Sequence, residues 1–76
     1  MADRWTFDTP WGRFAIVQMG TRFHAVFEGD SLGAYASPGL ALDDLVGGYT
    51  VWPSNGLDPA TAGLPDDLSE WTHREI

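Results

Sequence analysis

Between residues 4 and 36, apolar and polar side chains alternate with a period of two, and turn residues break the alternation at intervals. Period two is the signature of a strand with one buried face, because successive side chains point to opposite sides. Trp5 and Phe7 share a face over residues 4–8, and Pro10 with Gly12 marks the turn that follows. Phe14 and Ile16 share a face over residues 13–18, before a short glycine connection at Gly20 suited to a hairpin. Phe23, Ala25 and Phe27 line one face of residues 22–27, and residues 28–31 turn the chain into a short stretch at 32–36. The pattern predicts an antiparallel meander of three strands with a short fourth.

The period then changes. Ser37 stands where an N-cap belongs, with Pro38 at the first helical position. Ala41, Leu42, Leu45 and Val46 form an apolar stripe at helical spacing, while Asp43, Asp44 and Gly47 fall on the other side. Gly47-Gly48 supplies a left-handed stop. A helix over about residues 38–47 is too short to stand alone in water, so it is expected to pack across the sheet. The fold class is therefore α+β: a three- to four-stranded antiparallel sheet against one short helix.

Residues 49–76 carry a weaker pattern. Tyr49-Thr50-Val51-Trp52 reads as a further short strand ended by Pro53, and Ser54-Asn55-Gly56 as a turn. Asp58-Pro59 opens one helical turn that Gly63 closes. Leu64, Leu68 and Trp71 stand at helical spacing and are expected to wrap the core as staples over a turn or two of helix. The last five residues are expected to fray.

The 76 residues allow a single domain, with no cysteine to support it through a disulfide or a thiolate metal site. Ten aromatics, four of them Trp, are the means by which so small a core can hold. No basic region followed by an apolar run opens the chain, and no apolar segment approaches membrane-spanning length, so a soluble cytoplasmic protein is expected.

Charge narrows the partners. Eleven acids oppose four arginines and no lysine, a net charge of −7. Nucleic-acid binders draw most of their affinity from neutralising phosphates, so duplex binding and anionic membranes are not expected. Seven of the acids lie between Asp43 and Glu75 against Arg74 alone, a half that could dock a basic protein.

No residue pattern points to catalysis. His24 alternates onto the solvent side of its strand, His73 lies near the end, and neither has a motif-placed nucleophile. Asp43-Asp44 and Asp66-Asp67 are sequence neighbours whose side chains diverge on a helix, and Glu28-Gly29-Asp30-Ser31 falls short of a calcium loop. No glycine-rich run cradles phosphate. Neither a metal nor a cofactor is expected. Among the aromatics, Trp11 sits in a turn where a core needs no indole, and Trp52 next to Pro53, together with Tyr49, is the other candidate for exposure. With Asp43 and Asp44 they form the candidate partner-binding set, since exposed Trp and Tyr are enriched in binding hot spots and attract cations.

The run LGAYASPGLALDDLVGG followed by GLDPATAGLPDDLSEW resembles a family of small bacterial proteins of unknown function, from Trp5 to Trp71. Three strands ending in Leu32-Gly33-Ala34-Tyr35 before a capped helix are also similar to the plant ethylene-response DNA-binding domain and the arm-binding domain of phage integrases. That likeness implies a sheet whose outer face, here bearing Arg4, Arg13 and Arg22, meets nucleic acid. Residues 37–53 with Trp71 are similar to GYF-like adaptor modules, which read proline-rich peptides. The expectation is a non-catalytic protein-interaction or accessory domain, monomeric or homodimeric. The alternative is a nucleic-acid-binding module of integrase-arm type, or an acidic protein that imitates nucleic acid. A small-molecule binder or enzyme using His24 with nearby acids is a third reading.

Overall fold

The computed structural model describes residues 2–75. Four strands follow one another as a meander: β1 (Asp3–Thr9), β2 (Gly12–Met19), β3 (Arg22–Phe27) and β4 (Asp30–Tyr35). Helix α1 (Pro38–Gly47) comes next, then single 3-10 turns at Pro59–Thr61 and Leu68–Glu70, and finally β5 (Thr72–Glu75). The sheet runs β4-β3-β2-β1-β5, and every neighbouring pair is antiparallel.

The sheet has five strands where the sequence pattern led us to expect three or four. Residues 30–35 form a full strand, and Thr72–Glu75 do not fray but pair along β1 from Asp3 to Thr6, while Ile76 lies outside the described residues. The physical reason lies in side chains from opposite ends of the chain. His73 stacks on Trp5 with ring centroids 4.9 Å apart, and its Nε2 lies 3.0 Å from Asp3 Oδ1. Without β5, the N–H and C=O groups on that side of β1 would be an open sheet edge.

One face of the sheet carries the core. Phe14, Ile16, Ala25, Phe27 and Leu32 pack there against Ala41, Leu42 and Leu45 of α1, as the alternation and the helical stripe required. Trp5, Phe7, Phe23 and Tyr35 extend this layer toward the sheet margins. A β-bulge between Ala25 and Val26 of β3 leaves Leu32 without an opposite partner and turns it into the core.

Helix α1 begins and ends where the sequence places it. Ser37 Oγ accepts from Leu40 N, Pro38 occupies the first turn, and Gly48 caps the end in the left-handed region at φ 76°. A side chain at Gly48 would also strike Asp58 Oδ1, 2.8 Å from where a Cβ would sit.

The segment after α1 wraps the same face. Pro59 and Ala62 are buried, Leu57, Leu64 and Leu68 are partly so, and Trp71 is buried with Nε1 donating to Pro65 O at 3.1 Å. The Trp71 ring leans on Phe7, centroids 5.7 Å apart. The stapling residues act as expected, but the only helix between Leu64 and Trp71 is the 3-10 turn Leu68–Glu70. Residues 49–52 form no strand, which corrects the sequence reading. One backbone bond, Val51 N to Leu32 O, ties them to β4, while Trp52 Nε1 donates to Gly48 O and folds the segment back onto the helix end.

Candidate functional site

Two surfaces remain after the core is accounted for. The first lies at the C-terminal end of α1. Tyr49, Val51 and Trp52 are 80%, 70% and 49% exposed, yet each is anchored through its backbone or its polar end. Tyr49 N donates to Asp44 O at 2.8 Å, and the Tyr49 ring covers Gly47 so closely that a Cβ there would meet it. Val51 N and Trp52 Nε1 are held as described above. The apolar groups are thus presented by a fixed backbone, which lowers the ordering cost of binding.

The electrostatics of this end are one-sided. A helix C-terminus carries partial negative charge and is stabilised by cations. Here the last turn of α1 has no basic residue, and Asp43 and Asp44 lie within the helix. Asp58 adds a third carboxylate beside Gly48. Asp44 also lies against the Tyr35 hydroxyl and, after burial itself, helps to raise the tyrosine above its ordinary value of 10.0. The structure therefore gathers Asp43, Asp44, Tyr49 and Trp52 around one helix terminus.

Trp11, the fifth candidate, stands elsewhere. It tips the β1–β2 turn, whose backbone is fixed by Thr9: Oγ1 accepts from Trp11 N and Gly12 N and donates to Gly12 O at 2.7 Å. The indole is 55% exposed. Trp11 is not part of the buried core cluster.

The second surface is the sheet's other face, over which neither α1 nor the C-terminal segment packs among the described residues. Cross-strand register sorts its residues into rows. One row runs Thr72, Thr6, Ala15, Val26, Ser31; the next runs Arg74, Arg4, Val17, His24, Ala34. Arg13 faces Asp8 and Arg22 faces Met19 on the same side. All four arginines of the chain therefore project from this open face. A shallow trough of about 480 Å³ lies across it, lined by Arg4, Thr6, Arg13, Ala15, Val17 and Val26 among others.

Only one of these cations is paired. Arg13 Nε donates to Asp8 Oδ1 at 2.6 Å and Nη2 to Oδ2 at 3.3 Å, and this bond holds Asp8 below its ordinary value. Among the described residues, Arg4, Arg22 and Arg74 form no ion pair. Arg4 Nε is buried without a hydrogen-bond partner, and Arg4 stands directly opposite Arg74 across β1 and β5. Like charges directly opposite one another destabilise a sheet. This row required knowledge of the register and could not be read from the strands singly.

His24 lies on the open face, as its parity implied. Its Nδ1 is 2.9 Å from Ser31 Oγ, and no carboxylate is hydrogen-bonded to it among the described residues. No three His, Asp or Glu side chains among those residues gather closely enough to hold a metal ion. No helix is long and apolar enough to cross a membrane among them. Comparison with known protein families, curated proteins and solved structures finds no significant match.

Proposed function

We propose that the chain is a non-catalytic protein-interaction domain, and that the end of α1 is where it meets a basic partner. The observation that carries this reading is a run of exposed Tyr49, Val51 and Trp52 pinned by main-chain and indole bonds beside a helix C-terminus that has acids and no base. A lysine or arginine from a partner would supply the cation that this terminus lacks, and its stem would lie on the aromatic rings. The bulky side chains exclude water around that contact, which is the usual make-up of a hot spot.

The test is a titration of the isotopically labelled protein with a short arginine-rich peptide, followed by amide chemical shifts. The expected result is shifts concentrated at residues 43–52, with binding lost in Tyr49→Ala/Trp52→Ala while the melting temperature is kept. A peptide that binds the double variant as well as the parent, or shifts spread evenly over every acidic residue, would overturn the reading.

A further inference from the structure

We infer that the open face of the sheet is a second docking surface, and that its occupant is an acidic protein segment that also carries aliphatic side chains. The reading is independent of the one at the helix end, because the two surfaces share no residue.

Three features support it. The first is sign. The open face holds four arginines with two acids, Asp8 and Glu28, whereas the other nine acids of the chain lie at the covered side, in turns or beyond the sheet. The molecule measures 32 × 21 × 19 Å, and charges are screened within about 8 Å at physiological salt. A ligand on the open face therefore feels the arginines far more than the acids behind them.

The second feature is an unrelieved charge. Arg4 faces Arg74 with its own Nε buried and unpartnered, while two rows away Arg13 is satisfied by Asp8. A carboxylate laid between Arg4 and Arg74 would accept from both guanidinium groups and remove the repulsion.

The third feature selects protein over nucleic acid. The floor of the trough is aliphatic, built from Ala15, Val17 and Val26, with Met19 beyond. The Trp, Phe and Tyr side chains of the strands stand in the covered layer, which leaves the imidazole of His24 as the one ring that the strands present on this face. Single-stranded nucleic acid is held by successive bases stacked on several aromatic side chains, and His24 alone is not such a series. Duplex binding scales with the number of phosphates neutralised, and a face with two acids among four arginines neutralises few. An acidic segment with aliphatic residues matches both the rim and the floor.

The experiment uses the whole chain and four probes at low salt: a labelled peptide of alternating Glu and Val, its Lys-Val counterpart, a labelled DNA duplex and a single-stranded oligonucleotide. Binding of the Glu-Val peptide with amide shifts at residues 4, 15, 17 and 26 is expected, and Lys-Val should not shift them. Arg4→Gln/Arg74→Gln should weaken Glu-Val binding by about tenfold or more, while Asp43→Asn leaves it unchanged. Thermal melts of both variants distinguish lost binding from lost folding; as the double variant relieves a like-charge pair, it should melt no lower than the parent.

Four outcomes would overturn the inference. They are no Glu-Val binding, binding that survives the double variant, tighter binding of either nucleic acid on this face, and a concentration-dependent rise in mass that the double variant abolishes. The last would show that a second copy of the chain occupies the face.

Discussion

The two faces of the sheet are made by the same strands and differ in what their side chains meet. Neighbours in sequence separate cleanly: Phe14 and Ile16 are fully buried beneath α1, while Arg13 and Val17 face outward. On the covered side, cross-strand pairs such as Phe14 with Phe27, centroids 4.7 Å apart, are closed over by Leu42 and Leu45. On the open side, the corresponding pairs include Arg4 with Arg74, which works against folding. The contrast teaches that this domain is stabilised from one side, leaving the other free to hold a charge arrangement unsuited to a core.

The sharpest way to break that contrast is to damage the covered side where it is thinnest. Trp71 is the last staple, bonded to Pro65 and leaning on Phe7. Trp71→Ala should cost about 3–5 kcal/mol in chemical denaturation, enough to unfold a small domain at ambient temperature. A loss near zero would mean that the C-terminal segment contributes nothing to the core.

A smaller loss is expected at the helix start. Ser37→Ala removes the acceptor for Leu40 N and should lower stability by about 1 kcal/mol, read as a shifted urea midpoint with unchanged slope. On the open face the sign should reverse. Arg74→Glu places an acid opposite Arg4 and should raise stability by about 0.5 kcal/mol.

The smallest effect concerns Tyr35, which lies at the seam between sheet and helix. Burial, followed by Asp44, disfavours its ionised form in the folded state. As pH rises past the ordinary tyrosine value of 10.0, the unfolded chain ionises first. The stabilising contribution is therefore complete below that value and disappears as pH climbs through the higher folded value. Tyr35→Phe should flatten the decline of the urea midpoint between about pH 9 and about pH 11. An unaltered alkaline decline would remove Tyr35 from the account.

The same contrast explains what was legible in the sequence. The covered face was readable because its signals are local: alternation from Trp5 to Phe27, the Ser37-Pro38 start, and the Gly47-Gly48 stop. β5 was not, because Thr72–Glu75 has no apolar alternation and is exposed throughout; its place depends on Trp5 and Asp3 at the far end of the chain. Residues 49–52 have strong strand propensity, but the Trp52 indole bond to Gly48 and the adjoining Pro53 prevail over it. Of the candidate residues, Trp11, Tyr49 and Trp52 are exposed, which the sequence left open because an indole beside a proline serves equally as edge cover, and the structure adds Val51 and Asp58 beside the latter two. Arg4, Arg13 and Arg22 could be placed on the outer face from the strand alternation, but the pairing of Arg4 with Arg74 was hidden because it depends on β5 and its register.

Ile16 and Val17 test the central claim most directly, since they are adjacent β-branched residues on opposite faces of β2. In paired urea denaturation, Ile16→Ala should cost about 2–5 kcal/mol, whereas Val17→Ala should cost no more than about 1 kcal/mol. Comparable losses at the two positions would show that both faces are packed for stability, and would contradict a sheet held from one side and open for a partner on the other.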